Sequence, residues 1–425
     1  MVSLRGGIGQ VVEVTEVDAC VKTHLASLWE GSLNVLPSGE KGWYRKLESA
    51  DRVGHVASAQ GLLAFASAGI QIVEIADVTK SLVGRQHNDG SWPFVSNLGD
   101  RGVVDSTSWV ILSLHACNDG SNDIVIAKGV EWLKKNALPN GGWGICAGAR
   151  FRVYSTAVAL RALFSVKAAG DDIVTSAIQK LLSVSDPATG AWSDASGRLS
   201  VAVTGQVLLA LHAAENTETY ANYVQKATKW LIYVGHSGGW TQGPYVGTHE
   251  EVEVASDDGH LVRVEYKHFS AAIALLALMR VDSALRPQVV NGVAQLLSLS
   301  RREREGAVAD ETLTLRLSWV LHDAMVVLAE FRSCLPPSTA LVWFGASRVV
   351  VHQTDENTVF KLFKRYYPML IIAAILAVCL FLLSRWSGIT GNNGLVGLAS
   401  FASAVVASLL ANLLYGVLAS RHQYS

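Results

Sequence analysis

Arg85 to Leu114 reads RQHNDGSWPFVSNLGDRGVVDSTSWVILSL. A polar turn closes on Gly90-Ser91-Trp92, a short loop follows, and Asp105-Ser106-Thr107 opens an apolar stretch of helical character. Sliding this unit along the chain brings Trp43, Trp92, Trp143, Trp192 and Trp240 into register at intervals of 49, 51, 49 and 48 residues. A period that steady means a repeat architecture, in which one supersecondary unit is used again and again.

Each unit reads as two helices. The first carries Trp or Leu shortly before the turn, at Trp29, Trp132, Leu181, Trp230 and Leu296. The second can be stacked across the units as SAQGLLAF from Ser58, TSWVILSL from Thr107, TAVALRAL from Thr156, TGQVLLAL from Thr204, AAIALLAL from Ala271 and AMVVLAEF from Ala324. These second helices are apolar nearly all round and rich in Ala and Leu, whereas the first keep charged faces such as Glu131, Lys134 and Lys135. The second set therefore lies inside the first. Helical hairpins of this kind cannot bury their apolar faces alone, and six of them can close into a ring that leaves no end repeat exposed. The expected fold is all-α: a six-hairpin α/α toroid over residues 25–331, followed by two C-terminal transmembrane helices.

The element Gln86-x-x-x-Gly90-x-Trp92 with a helix-opening Asp-Ser-Thr resembles the repeat of the squalene cyclase and protein prenyltransferase superfamily. The resemblance covers about residues 25–331 and implies a toroid that handles an isoprenoid-like ligand. It is a diverged, single-barrel resemblance. The place of Gln86 is taken by Pro37, Ala137, Asp186 and Val234 in other units, and the last unit has Gly306-Ala307-Val308 in place of Gly-x-Trp. Cyclases, prenyltransferases, peptide cyclases and thioester-bearing domains all use such barrels, so function has to be argued from the site.

Lys plus Arg (35) nearly cancels Asp plus Glu (36), which argues against a nucleic-acid partner. Cys20, Cys117, Cys146, Cys334 and Cys379 form no C-x-x-C pair, so they suggest neither a zinc knuckle nor a disulfide framework and fit a reducing compartment. Glu13, Glu16 and Asp18 interrupt the N-terminal segment (1–24) where a signal peptide would need an apolar core. Between Trp240 and the fifth inner helix, THEEVEV and LVRVEY alternate like strands about Asp257-Asp258-Gly259, as a surface hairpin or a lid over the ring. Pro336-Pro337 begins a linker (332–365) in which ALVWFGASRVVVHQ suggests short strands. Tyr366 to Ser384 is 19 residues without a charge, enough to span a bilayer, and a second run reaches from Leu395 to Ser420. Lys361, Lys364, Arg365 and Arg421 outside this hairpin (366–420) outnumber Arg385 in its turn, which places the toroid and both termini in the cytoplasm. The second run is rich in Gly, Ala and Ser, a composition that allows close helix packing in lipid and a homo-oligomer. The expected partners are the lipid bilayer and an apolar small molecule or a partner protein.

Chemistry on such a ring would sit where the inner helices begin. The helix-opening residues across the units are Val56, Asp105, Tyr154, Ala202, Phe269 and His322, with His55 and His268 one position earlier and Asp323 one later. Asp105 and His322 are the candidate catalytic residues, and Tyr154, Trp109, Phe269, His55 and His268 are candidates for lining a ligand site. By the cyclase resemblance, Asp105 corresponds to the middle Asp of the Asp-x-Asp-Asp-Thr element that protonates a polyene, but Val103-Val104-Asp105-Ser106-Thr107 lacks its neighbours. The alternative role for Asp105 is a helix N-cap. His322-Asp323 resembles part of the zinc set of the prenyltransferases, yet no cysteine falls at an equivalent place, so no metal and no cofactor is expected. The reading of function is a membrane-anchored toroid that binds an apolar ligand or a partner without full cyclase chemistry, as a sensor or effector. An enzyme using Asp105 as general acid is the alternative.

Overall fold

The computed structural model describes residues 11–44, 47, 53–70, 75–93, 101–117, 120–168, 172–214, 217–236, 249–255, 261–267, 269–284, 286–304, 318–336, 339–344 and 347–352. They belong to one compact unit, Met1–His352. Six helices form the outer layer: α1 (Val14–Ser32), α3 (Ile75–Gly84), α5 (Asp123–Lys135), α7 (Asp172–Ser183), α9 (Ala221–His236) and α11 (Pro287–Arg304). Six alternate with them: α2 (His55–Ala68), α4 (Val104–Ala116), α6 (Val153–Ser165), α8 (Val201–Ala213), α10 (Ser270–Val281) and α12 (Ser318–Ser333). The second set packs α2 on α4, α4 on α6, α6 on α8, α8 on α10, α10 on α12 and α12 back on α2. That closed circuit is the toroid.

The repeated tryptophan explains why each hairpin closes as it does. Trp43, Trp92, Trp143 and Trp192 are fully buried. Each indole Nε1–H donates to a leucine carbonyl near the end of its own outer helix, at Leu28, Leu82, Leu133 and Leu181, over 2.7–3.0 Å. Each backbone N–H donates to a hydroxyl on the following inner helix, at Ser58, Thr107, Thr156 and Thr204. The tryptophan carbonyl in turn accepts from the residue just before that helix, at Gly54, Val103, Arg152 and Ser200. One side chain thus ties outer helix, turn and inner helix together, and every buried polar atom it brings is satisfied. The aligned Ser and Thr of the sequence stack are these acceptors.

The glycine of the turn is required by the neighbouring unit. Gly90 and Gly141 have φ of 96° and 87°, and a Cβ at either would strike the backbone of Lys128 on α5 or Ser176 on α7. Gln86, by contrast, braces a single junction: its Nε2 donates to the Gly90 carbonyl at 3.0 Å and to the Val125 carbonyl on α5 at 2.8 Å.

The fold is not purely helical. Strand β1 (Val11–Glu13) precedes α1, and short β2 (Asn34–Val35) and β3 (Lys41–Gly42) follow it. The expected hairpin before the fifth inner helix is β4 (His249–Ala255) with β5 (Leu261–Lys267), and the strands expected after the toroid are β6 (Thr339–Phe344) and β7 (Ser347–His352). They form a sheet in the order β1-β6-β7, with Val11 opposite Val342 and Glu13 opposite Ala340. This pairing staples the start of the first hairpin to the chain leaving the last one. Among the described residues no helix is long and apolar enough to cross a membrane. The two expected spans, 366–384 and 395–420, lie outside the described residues, as does His268.

Candidate functional site

Asp105 lies inside the first turn of α4, one residue past its start, and Val103 is the N-cap residue. No side-chain cap hydrogen bond is made there. The expected capping role is therefore not what the structure gives Asp105. The residue is 1% exposed, and its Oδ2 accepts from Arg152 Nη1 at 2.6 Å, while Oδ1 has no hydrogen-bond partner among the described residues. Arg152 is itself 5% exposed. It sits just before α6, where its backbone N–H bonds the Trp143 carbonyl, and Nη1 reaches Ser155 Oγ at 3.1 Å. The guanidinium also lies over the Tyr154 ring, 4.9 Å from its centroid. Asp105 and Arg152 are thus a buried ion pair that clamps two adjacent inner helices.

Burial, reinforced by the charges of Asp105 and Asp323, pushes the Tyr154 phenol far above its usual range and keeps it neutral. Trp109 donates a hydrogen bond to it. The opposite edge of the same network is on α12, where His322 packs edge-on against Trp109 at 5.3 Å and its Nδ1 lies 2.8 Å from Asp323 Oδ1.

Below the mouth the six inner helices line an open axial chamber of about 300 Å³. Its wall takes Leu63, Leu112, Leu209 and Leu276 at one level, with Ile273 and Val326 beside them. Trp109, His322 and Asp323 face it from above, and Ser67, Arg161, Ser165, Gln206, His212 and Arg280 are its other polar lining. Trp109, Gln206, Ile273 and Val326 fall in the third column of the inner-helix stack, and Leu63, Leu112, Arg161, Leu209 and Leu276 in the sixth, one helical turn on. The chamber has the size and the mostly apolar wall of a small-molecule site. Of the residues expected to line a ligand site, Trp109 stands on the chamber wall. Tyr154 and Phe269 are buried beside the mouth outside the chamber wall.

His55 is also outside it. Its ring is 2% exposed, and its Nδ1 lies 2.8 Å from the Pro93 carbonyl. Burial, aided by His87 and opposed by that hydrogen bond, pushes its pKa down to about 4. The unfolded value is about 6.5, so the unfolded chain takes up a proton first as pH falls. Stability from this group is complete above about pH 6.5 and drains away down to the folded value, by about 3 kcal/mol in all. Denaturant titrations between pH 7.5 and 4.5 should show the wild type losing more stability than His55→Gln, and parallel losses would count against this assignment.

No family model matches the chain and no curated protein does so. Solved structures do. The type II terpene cyclase MstE from Scytonema, in complex with geranylgeranyl dihydroxybenzoate, is 13% identical with a TM-score of 0.50, over 76% of this chain and 99% of that one. A β-1,3-1,4-glucanase from Paenibacillus sp. X4 is 12% identical with a TM-score of 0.53, over 79% of this chain and 96% of that one. An inactive variant of an α-1,6-mannanase from Salegentibacter sp., in complex with α-1,6-mannotetrose, is 12% identical with a TM-score of 0.50, over 76% and 100%. The chain has the α/α toroid fold. The likeness is one of fold, shared by terpene cyclases and sugar hydrolases alike.

Three residues central to the site escaped the sequence reading: Arg152, Arg161 and Gln206. Among the described residues no group of three or more His, Cys, Asp or Glu converges as a metal site.

Proposed function

We propose that the toroid is a binding protein for an elongated apolar molecule, isoprenoid- or lipid-like, which it holds in the axial chamber without cyclase chemistry. The observation that carries this reading is the chamber itself, walled at mid-height by four leucines and contributed to by all six inner helices. Among solved toroids the ligands span a geranylgeranyl compound and a mannotetrose, and an aliphatic wall favours the first class. A sugar hydrolase needs two carboxylates flanking the bond, and Asp323 is the single carboxylate on this wall among the described residues.

The enzyme reading required Asp105 as a general acid. To serve, Asp105 would have to carry a proton on the carboxyl that Arg152 holds, which would give up the charge of a buried ion pair. Asp105 is better read as a structural counter-ion, and His322 with Asp323 as polar lining that orients a ligand. The two charge-free runs near the C-terminus support an anchor that keeps the toroid at a bilayer surface, where such ligands are found.

The test is occupancy by a neutral apolar probe. Native mass spectrometry of the full chain with decanol should show one molecule bound, and Leu276→Trp, which fills the chamber, should remove it. Binding that survives Leu276→Trp would place the ligand elsewhere.

A further inference from the structure

One column of the inner-helix stack is aliphatic in five units and charged in the sixth. Leu63, Leu112, Leu209, Leu276 and Ala329 occupy it on α2, α4, α8, α10 and α12, and Arg161 occupies it on α6. Arg161 therefore projects from a ring of leucines into the chamber. Arg161 is half-buried. Taking a guanidinium even partly out of water is costly, and that desolvation pushes Arg161 down to about 10. A cation kept at such a place calls for a countercharge.

The described residues do not supply one at contact. Arg161 Nη1 donates to Gln206 Oε1 at 2.5 Å, and the guanidinium lies 5.4 Å from the centroid of the Trp109 ring. Both partners are neutral. Asp323 attracts Arg161 electrostatically, but its Oδ1 is engaged with His322 at 2.8 Å and it forms no ion pair with the arginine. Arg280, the other cation on the wall, is matched by Glu330 at 2.7 Å. His212, next to Arg280, is held toward its neutral form by burial. Gln206 engages one of the five N–H donors of Arg161, and Trp109 flanks its plane, so the guanidinium is braced and most of its fork remains for a ligand.

We infer that Arg161 anchors the anionic end, a carboxylate or a phosphate, of the apolar molecule that the chamber takes. This rests on the chamber reading above and adds the headgroup. A planar fork on a mostly apolar wall binds such oxyanions by paired, charge-assisted hydrogen bonds, which are the strong ones.

Three probes with the same tail separate the possibilities. Isothermal titration of the full chain with decanol, decanoate and decyl phosphate should show an anion binding roughly ten- to a hundred-fold tighter than the alcohol, the range expected for a hydrogen bond to a charged group. The tighter of the two anions identifies the headgroup. Arg161→Met should erase the difference, weakening the anions far more than decanol, whereas Arg161→Lys should keep part of it. Arg161→Met should also melt no lower than the wild type, because it removes a half-buried cation that forms no ion pair among the described residues. Should that variant fail to fold, the wild-type comparison still decides. Equal affinities for all three probes would overturn the anchor and leave the chamber standing. An anion preference that survives in Arg161→Met would also overturn it, while failure of all three to bind would sink the chamber reading with it.

Discussion

Asp105→Asn is expected to lower the unfolding free energy by about 3–5 kcal/mol, the cost of removing one partner from a buried ion pair. Asn is nearly isosteric and caps helices as well as Asp does, so an N-cap role would make the change close to neutral. The structure separates the two cases. Arg152 donates to Asp105 Oδ2 at 2.6 Å with both side chains almost wholly buried, and Asn removes the negative charge from that pair. The double variant Asp105→Leu with Arg152→Met should recover much of the loss, because it removes both charges at once. Urea titration of the four proteins measures the coupling. A loss below about 1 kcal/mol for Asp105→Asn would show that the pair is not a structural clamp.

Trp143→Ala is expected to cost a similar amount, about 3–5 kcal/mol, since a fully buried indole leaves a cavity that rigid helices on both sides cannot refill. The effect should be partly chemical. Trp143→Phe keeps most of the apolar contact but loses the Nε1 hydrogen bond to the Leu133 carbonyl at 2.7 Å, while that carbonyl still accepts from the Asn136 backbone N–H at 3.2 Å, and should cost about 0.5–1.5 kcal/mol. Because Trp92 and Trp192 make the same two bonds in their own units, equivalent substitutions there should rank the same way. If Phe and Ala proved equally mild at Trp143, the tryptophan would not be the tie between the layers.

The toroid was legible because its signals are local. Each Gly-x-Trp turn and each aligned Ser or Thr lies within one unit, so a stack of units displays them in columns, and the bonds from Trp92 to Leu82 and Thr107 span short stretches of chain. The site was less legible because its contacts join different units. Arg152 is 47 residues from Asp105, and Arg161 is 45 from Gln206. No periodicity announces such pairs. Arg161 could have been noticed as the charge in a leucine column, but only the closed ring shows that this column faces a chamber. Asp105 misled for a different reason. Asp-Ser-Thr has the composition of a helix start, yet α4 begins at Val104, held to the Ile145 carbonyl at 2.8 Å, which puts Asp105 in the first turn and free to face Arg152. The β1–β6 pairing escaped notice because three residues at the N-terminus carry no strand signal of their own.

The separation of binding from catalysis can be measured on a polyene that a cyclase could act on. The full chain is incubated with farnesol, washed, and extracted, and the recovered material is compared with the input by gas chromatography and mass spectrometry. Recovery of unchanged farnesol at about one molecule per chain, lost in Leu276→Trp, is the expected result. Cyclised product from the wild type that disappears in Asp105→Asn would contradict it and return Asp105 to the role of acid.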